Sequence, residues 1–354
     1  MSQFFSSKYN RLTPYTPGEQ PKDQQYVKLN TNESPYPPSP KAIAAAEKAA
    51  ASLQLYSDPE CRDLVQKAAD VFGVASDEIL FTNGSDEILN FAFMAFCDKE
   101  HPAIFPDITY GFYPVFAALN NVPFAEMPLN DDFTIRVSDY VNCGKTVFIA
   151  NPNAPTGIAL PLADIRAIVE SNPNNVVIVD EAYVDFGAES AVSLIHQYPN
   201  LLVTQTFSKS RSMAGARLGV GFACSDLIRD LNTVKYSTNP YNVNRMTMAA
   251  GIGALEDAEY FTNNCQQIMK TREWTTEKLI NLGFSVIPSS ANFVFAKHKK
   301  VGGKEIYTQL KERGILVRYF DKEKLRDYNR ITIGDPKQME TLISTLSNLL
   351  EEVI

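Results

Sequence analysis

Three short, largely apolar runs at residues 146–150, 176–179 and 201–204 constrain the fold of this 354-residue chain more than any other feature. Their side chains do not alternate between apolar and polar, and segments with helical patterning separate them along the sequence. Strands of this kind are buried on both faces of a sheet, and helical connections between them favour a parallel arrangement. The pattern predicts an α/β fold in which helices cover a mostly parallel sheet.

The chain is longer than one typical domain, so we expect a large domain and a smaller one. Seven prolines fall within residues 1–40, which predicts an extended N-terminal arm rather than a packed unit. We expect this arm to join the small domain or a partner subunit. Residues 41–270 are predicted to form the large domain, and residues 271–354 a small C-terminal α/β domain.

Shorter patterns predict the remaining elements. Ser39 and Pro40 suit the start of a helix, because serine caps the first N–H groups and proline fits the first turn. Helices are predicted at residues 41–53, 60–72, 88–96, 112–119, 246–282 and 304–313, and from residue 336 onwards. Strands are predicted at residues 78–81, 103–106, 286–287, 292–296, 315–318 and 330–333.

Composition narrows the class of function. A formal net charge of −8 argues against nucleic acid or an anionic membrane as the main partner. Residues 1–10 lack the apolar segment of a signal peptide, and no run approaches the about 20 apolar residues of a membrane span, so we expect a cytoplasmic location. The five cysteines are scattered and the three histidines isolated, which predicts reduced thiols and disfavours a metal site or a histidine-based triad.

Polar residues follow the apolar runs at the points where strands are expected to end. Asn153, Asp180 and Lys209 each lie just past one run. In open α/β sheets, ligands bind at the carboxyl ends of the strands, so the three side chains are expected to converge. Residues 84–86 precede an apolar helix and offer backbone N–H groups for an anion, although the same sequence also suits an ordinary helix cap.

This set of residues suits pyridoxal phosphate, which needs an amine, an anion for its ring nitrogen, a donor for its phenolic oxygen and a cradle for its phosphate. Lys209 offers the amine and Asp180 the anion, and Tyr183 is the candidate donor. The predicted phosphate cradle consists of Gly84, Ser85, Asp86, Ser208 and Arg217. Taken alone, Lys209 also fits an ordinary solvent-exposed lysine.

An ordered set of motifs makes the prediction more specific. The motifs are residues 28–35 (KLNTNESP), 82–87 (TNGSDE), 109–111 (TYG), 155–157 (PTG), 180–183 (DEAY), 208–209 (SK), 214–219 (AGARLG) and 241–244 (YNVN). Together they resemble the fold type I pyridoxal-phosphate enzymes, which have the aspartate-aminotransferase fold, and among these the histidinol-phosphate aminotransferase family. Each motif is short, but the set spans nearly the whole chain in order.

The resemblance implies further site residues and a partner. It implies a homodimer in which Tyr56 reaches the cofactor phosphate of the neighbouring subunit, and a Tyr110 that stacks beside the cofactor ring. Arg330 would bind the carboxylate of glutamate in one half-reaction and the phosphate of the second substrate in the other, with Arg318 assisting. The other substrate-binding residues implied by the resemblance are Tyr15, Asn32, Glu33 and Asn292.

The chain departs from the family pattern at one position. The family usually has asparagine immediately before Pro-Thr-Gly, where its amide donates to the phenolic oxygen of the cofactor, but this chain has Ala154 there. Asn153 stands one residue earlier. Either Asn153 reaches the ring from a shifted loop, or Tyr183 makes this contact alone.

The resemblance predicts amino-group transfer between histidinol phosphate and glutamate or 2-oxoglutarate, a step of histidine biosynthesis. An aminotransferase for aromatic or other amino acids looks much the same at the cofactor. A lyase is a further alternative, because threonine-phosphate decarboxylases resemble this family and also require a phosphate ester. A non-catalytic regulatory module with this fold usually carries an appended DNA-binding segment, which the acidic sequence does not show.

Overall fold

A computed structural model describes residues 2–10 and 12–353. Met1, Arg11 and Ile354 lie outside the described residues. The N-terminal arm is therefore described only at residues 2–10 and 12–40. In chain order, the helices and strands are β1 (Val27–Lys28), α1 (Pro40–Ala50), α2 (Arg62–Phe72), β2 (Ile79–Thr82), α3 (Ser85–Phe96), β3 (Ala103–Pro106), α4 (Tyr113–Leu119), β4 (Phe124–Met127), β5 (Thr146–Ala150), α5 (Leu162–Ser171), β6 (Val177–Asp180), β7 (Leu201–Thr206), β8 (Gly219–Ala223), α6 (Ser225–Thr238), α7 (Arg245–Leu255), α8 (Ala258–Asn281), β9 (Phe284–Ile287), β10 (Phe293–His298), α9 (Gly303–Glu312), β11 (Ile315–Leu316), β12 (Arg318–Tyr319), β13 (Asn329–Thr332) and α10 (Pro336–Val353).

The larger sheet has seven strands in the order β2-β8-β7-β6-β5-β3-β4. Strands β7, β6, β5, β3 and β4 pair in parallel, whereas β8 runs antiparallel to both of its neighbours. The three apolar runs that predicted the fold form β5, β6 and β7, adjacent and in parallel register. The predicted α/β class with a mostly parallel sheet is confirmed.

Helices cover both faces of this sheet, as the continuous apolar strands require. Val177 and Val179 point to one face and join a buried cluster that includes Ile165 and Ile168 of α5. Ile178, between them on β6, points to the other face and packs in a cluster with helices α3 and α4. Because successive side chains of a strand alternate, a strand buried on both faces is apolar nearly throughout, and a polar residue within it needs a hydrogen-bond partner.

A second, four-stranded antiparallel sheet has the order β12-β13-β10-β9 and packs with the last helices of the chain. The N-terminal arm is tied to this region, because β1 pairs in parallel with β11 and Thr332 N–H donates to Leu29 O at 3.0 Å. Residues separated by about 300 positions therefore meet directly after β1. This meeting point places the segment 30–33 beside the end of the larger sheet.

Local signals explain several element boundaries. Ser39 Oγ accepts a hydrogen bond from Ala42 N–H at 3.2 Å, and Pro40 begins α1 as predicted. The helix predicted at residues 246–282 is instead two helices, α7 and α8, because the chain leaves the helical conformation at Asp257. The domain boundary predicted at residue 270 falls inside α8, and the division into an arm and two domains stays a prediction. Among the described helices, none is long and apolar enough to cross a membrane.

Candidate active site

A cavity lies at the carboxyl ends of β5, β6 and β7, where the sequence predicted convergence. Its position follows from the parallel register, which sets Ala150 beside Asp180 and Asp180 beside Thr204. The residues that line it are Ser85, Asp86, Tyr110, Ala150, Pro152, Ala154, Asp180, Ala182, Tyr183, Thr206, Ser208, Lys209 and Arg217. The structure therefore brings most of the predicted cofactor-binding residues to one place.

Asp180 is the last residue of β6 and is 4% exposed. Tyr113 Oη donates to its Oδ2 and Thr204 Oγ1 to its Oδ1, both at 3.2 Å. Within the described residues this carboxylate has no lysine, arginine or histidine as an ion-pair partner. Burial, together with a smaller contribution from the charge of the nearby Asp86, raises the pKa of Asp180 to about 7. A buried carboxylate of this kind fits a ligand that brings a positive charge.

Lys209 follows β7 and lines the same cavity as Asp180. Its Nζ donates to Thr31 O at 3.1 Å, and lies 5.9 Å from the centre of the Tyr183 ring. Burial lowers the pKa of Lys209 to about 8, with a further contribution from the positive charge of Arg330. An amine with this pKa is partly neutral near pH 7, as a nucleophile or general base needs to be.

The N-terminus of α3 forms one wall of the cavity. Gly84 precedes the helix with φ +84°, and no side chain caps the first N–H groups. A Cβ at Gly84 would lie 2.5 Å from Arg217 Nη2, so glycine is needed both for the backbone conformation and for the close approach of the guanidinium. The uncapped helix end and Arg217 together fit a phosphate group.

Asp86 connects this wall to the aromatic side of the cavity. Tyr110 Oη donates to Asp86 Oδ1 at 2.6 Å, and Arg217 Nη2 lies 3.2 Å from Asp86 Oδ2. Arg217 Nη1 also donates to Ser208 Oγ at 3.4 Å. Burial raises the pKa of Tyr110 well above its usual value, and the charge of Asp86 adds to this shift. Tyr110 therefore remains a neutral hydrogen-bond donor at the edge of the cavity.

Tyr183 and the segment 151–157 determine which group can donate to a phenolic oxygen. Tyr183 lines the cavity, as does Ala154. Asn153 is turned away from it, because its Nδ2 donates to Ile108 O at 3.0 Å and to Thr156 Oγ1 at 3.1 Å. The structure therefore does not bring the Asn153 amide to the cavity, and Tyr183 is the hydroxyl donor next to Ala154.

Arg330 and Arg318 lie side by side on the antiparallel sheet, where their residues are paired in register. Arg330 Nη2 donates to Asn30 O at 2.9 Å, and its Nε is buried without a partner. Arg318 donates to Thr16 O and Pro17 O, both at 3.2 Å. Among the described residues, neither guanidinium forms an ion pair with a carboxylate, so both can take up an anionic group.

The other predicted substrate residues surround this corner with different partners. Tyr15 stacks on Phe112 with ring centres 4.2 Å apart, and its ring lies 6.4 Å from that of Tyr110. The Glu33 carboxylate is engaged with Lys28 and Thr31. The remaining two, Asn32 and Asn292, are fully buried and make contacts with the protein itself.

Tyr56 lies apart from the cavity. It is 80% exposed and stacks on the half-exposed Tyr241, with ring centres 4.6 Å apart. The single chain therefore does not bring Tyr56 to the other site residues. The contact of Tyr56 with the phosphate of a neighbouring subunit stays a prediction.

The donor set of the cavity fits pyridoxal phosphate. Asp180 supplies a buried negative charge, Lys209 an amine of lowered pKa, and the N-terminus of α3 with Arg217 an anion cradle. These groups line one cavity at the end of the parallel sheet. No group of His, Cys, Asp and Glu side chains suited to a metal ion is found within the described ranges.

Sequence reasoning missed the residues that hold the predicted ones in place. Thr204 is the polar member of an apolar run, and this is the signal by which it could have been found. Tyr113 carries no such signal, because an aromatic residue within a helix usually indicates packing. Asn30, which accepts from Arg330 through its backbone oxygen, and Thr332, which contacts Asn32, are brought to the site by long-range pairing.

Comparison with known proteins places the chain in a family. The family model described as aminotransferase class I and II matches residues 24–346. Histidinol-phosphate aminotransferase from Marinomonas sp. is 50% identical over 99% of this chain and 100% of its own length, and the enzyme of that name from Brachyspira hyodysenteriae is 46% identical over the same shares. The crystal structure of histidinol-phosphate aminotransferase from Sinorhizobium meliloti in complex with pyridoxal-5'-phosphate superposes with a TM-score of 0.91. The superposition covers 100% of this chain and 99% of the other chain, and because the two sequences are only 22% identical it supports the fold alone.

Proposed function

The chain belongs to the class I and II aminotransferases, and we propose that it uses pyridoxal 5'-phosphate to transfer an amino group between L-histidinol phosphate and 2-oxoglutarate. The observation that carries the proposal is the sharing of one cavity by Lys209 and the uncompensated carboxylate of Asp180. Relatives of nearly half-identical sequence over the whole chain, named histidinol-phosphate aminotransferase, support the choice of substrate. The step belongs to histidine biosynthesis.

When bound, the cofactor supplies an electron-withdrawing ring that activates the substrate's α-carbon and holds the amino group between the two half-reactions. Lys209 would anchor the cofactor through its amine and would move the proton at the substrate's α-carbon. Its pKa of about 8 suits this work, because a general base functions best when its pKa lies near the working pH.

Asp180 keeps the proton on the ring nitrogen. Its two carboxylate oxygens accept hydrogen bonds from Tyr113 and Thr204, one each, which fixes the orientation of the carboxylate at the cavity wall. A positive charge on the ring nitrogen offsets the desolvation that raises the pKa of Asp180, so the carboxylate stays ionised when the cofactor is bound.

The phosphate of the cofactor is held by the N–H groups of Gly84, Ser85 and Asp86, by Ser208 and by Arg217. Because the Arg217 guanidinium already spans Asp86 and Ser208, it is oriented before the phosphate arrives. In the proposed homodimer, Tyr56 of the partner subunit completes this cradle. The stacked, exposed Tyr56 and Tyr241 give that contact a preformed surface.

The two arginines select substrates that carry an anionic group. Arg330 binds the carboxylate of glutamate in one half-reaction and the phosphate of histidinol phosphate in the other, and Arg318 lies next to it. Tyr15 and Tyr110 give this corner aromatic walls for an imidazole ring. Glu33 and Asn292 complete the same corner in the proposal. A cytoplasmic location fits a biosynthetic enzyme of this type and belongs to the proposal.

A spectral titration of the purified holoenzyme tests the proposal. Histidinol phosphate added without a 2-oxo acid should abolish the visible absorption band of the cofactor, and 2-oxoglutarate added afterwards should restore it. Phenylalanine and phosphothreonine serve as comparison substrates for an aromatic aminotransferase and for a phosphate-ester lyase. Release of carbon dioxide without formation of glutamate would contradict the proposal and indicate a lyase.

A further inference from the structure

The hydroxyl of Tyr183 has a protein donor of its own. Asn32 Nδ2 donates to Tyr183 Oη at 3.0 Å, and both groups are buried. A phenolic hydroxyl has one hydrogen to donate and lone pairs with which to accept. Because it accepts from Asn32, its own hydrogen is directed away from that amide. Tyr183 lines the cavity, so the hydrogen is available there.

Asn32 is itself fixed from the antiparallel sheet. Its backbone N–H donates to Thr332 Oγ1 at 2.9 Å, and Thr332 Oγ1 donates back to Asn32 Oδ1 at 3.0 Å. Asn292 Nδ2 donates to Asn32 O at 3.0 Å. The backbone of Asn32 has φ 56°, a left-handed conformation that asparagine tolerates better than most residues. The carboxamide is therefore held in one orientation, with its NH₂ group on Tyr183.

The need for this arrangement follows from position 154. Ala154 lines the cavity and offers no side-chain donor, and the neighbouring Asn153 uses its amide hydrogens on Ile108 and Thr156. Neither Ala154 nor Asn153 can therefore donate to a phenolic oxygen, and Tyr183 is left to make this side-chain hydrogen bond. Any group that orients the Tyr183 hydroxyl gains importance for that reason.

We propose that Asn32 is a positioning residue, which, held by Thr332, directs the Tyr183 hydroxyl towards the phenolic oxygen of the cofactor and strengthens it as a donor. The inference rests on the proposed function, because it concerns the cofactor of that reaction. It assigns Asn32 to the cofactor through Tyr183 rather than to the substrate. It also ties the hydrogen bond at the cofactor to the N-terminal arm and the antiparallel sheet, from which Asn32 and Thr332 come.

The electrostatics of Tyr183 support this role. The pKa of Tyr183 is raised overall, mainly by burial, and the charge of Arg330 and the hydrogen bond from Asn32 act against this rise. A hydroxyl whose pKa is lowered by an incoming hydrogen bond gives its own hydrogen more strongly to an acceptor. The chain Thr332–Asn32–Tyr183 therefore acts in one direction, towards the cavity.

The pH midpoint of the visible absorption band of the holoenzyme tests the inference without relying on activity. A hydrogen-bond donor stabilises negative charge on the phenolic oxygen. The oxygen then attracts the proton of the neighbouring nitrogen, through which the cofactor would be joined to Lys209, less strongly. Losing the donor should therefore raise the midpoint. Tyr183→Phe should produce the largest rise. Asn32→Gly, which removes the carboxamide but tolerates the left-handed backbone, should raise the midpoint by about 0.5–1 pH unit.

The double variant shows whether Asn32 affects the cofactor through Tyr183 or independently of it. If Asn32 acts through Tyr183, Asn32→Gly should add nothing to the shift already caused by Tyr183→Phe. Thr332→Val should shift the midpoint in the same direction as Asn32→Gly, and Thr332→Ser should restore it. An equal extra shift in the Tyr183→Phe background, or no shift in Asn32→Gly, would overturn the inference. A wild-type protein with no visible band after addition of cofactor would instead overturn the proposed function.

Asn30→Ala is the matched control. Asn30 belongs to the same segment and is as deeply buried, but its amide donates to Glu19 O at 2.9 Å and not to Tyr183. Its substitution should leave the pH midpoint unchanged even where it lowers thermal stability. A shift as large as that of Asn32→Gly would show that the midpoint reports general loosening of this segment, and would also overturn the inference.

Discussion

The two halves of the site are built in different ways. The cofactor half, with Asp180, Lys209 and the N-terminus of α3, is formed at the ends of adjacent strands of one parallel sheet. The substrate half joins Arg330 of the antiparallel sheet to segment 30–33, which lies about 300 residues away in sequence. In the proposed reaction the first half binds one constant group, the cofactor, whereas the second half binds two substrates in turn.

Lys209→Ala should have the largest effect and should be confined to the cofactor half. Loss of the proton-transfer group alone is expected to lower turnover by more than about 10²-fold, while the fold is retained. Steady-state transamination by the purified variant measures this, and retained turnover would contradict the assignment. Lys235→Met is the control, because Lys235 is also buried but donates to Pro59 O, outside the cavity. It should keep the visible absorption band.

Asp180→Asn should lower turnover by roughly 10²–10³-fold, the usual cost of losing one preorganised electrostatic group. Steady-state transamination by the purified variant measures this.

The same substitution should change how the stability of the cofactor-free protein depends on pH. Burial raises the pKa of Asp180 from 3.8 to about 7, so the folded wild type loses stability as the pH rises between these values. Asparagine does not ionise, so the stability of the variant relative to that of the wild type should increase as the pH rises. Thermal unfolding at pH 5 and pH 8 measures the difference, and an equal difference at both would contradict the account.

Arg330→Ala should impair the substrate half in both half-reactions. Each loses a charge-assisted contact of about 1.5–3 kcal/mol, a factor of roughly 10–150 in rate at limiting substrate. Single-turnover measurements with glutamate and with histidinol phosphate separate the two, and cofactor binding should stay unchanged. If only the glutamate half-reaction were impaired, Arg330 would be a carboxylate site alone. Arg318→Ala, whose guanidinium already holds Thr16 O and Pro17 O, should have a smaller effect.

Gly84→Ala should weaken cofactor binding with little effect on the substrate half. The added Cβ would lie 2.5 Å from Arg217 Nη2 and displace the guanidinium from the cradle. Cofactor retention on dialysis measures this effect. Gly73→Ala is the matched control, because Gly73 also has a positive φ, +68°, but a Cβ there meets no atom within 4 Å. If both variants lost cofactor equally, backbone strain rather than the cradle would be the cause.

The cofactor half was predictable from sequence because its signals are local. Asp180 and Lys209 follow continuous apolar runs, and parallel strands bring such residues to one edge. Even so, the sequence does not show which of two adjacent acids faces the cavity. Glu181 is as buried as Asp180, and burial likewise raises its pKa to about 7, but it accepts hydrogen bonds from Ser190, Ala191 and Gln205 instead.

The substrate half was predicted only through the resemblance to a family. Arg330 on its own suits an exposed surface, and nothing in its local sequence indicates that Asn30 and Asn32 lie against its strand. That contact depends on the pairing of β1 with β11 and on the backbone bond from Thr332 to Leu29, which are long-range. Strand β8 was also missed, because its glycines weaken a strand signal, although Gly219 is needed where a Cβ would lie 2.3 Å from Ser85 N.

Transfer of ¹⁵N tests the central claim most directly, because it requires both halves of the site in the wild-type enzyme. The holoenzyme is given ¹⁵N-labelled L-histidinol phosphate or ¹⁵N-labelled phenylalanine with 2-oxoglutarate, and labelled glutamate is measured by mass spectrometry. The account predicts that label from histidinol phosphate reaches glutamate, because the two half-reactions follow one another in the same site. It also predicts a kcat/KM for histidinol phosphate at least about tenfold above that for phenylalanine, a difference of about 1.4 kcal/mol. Equal transfer from the two donors, or no labelled glutamate from histidinol phosphate, would contradict it.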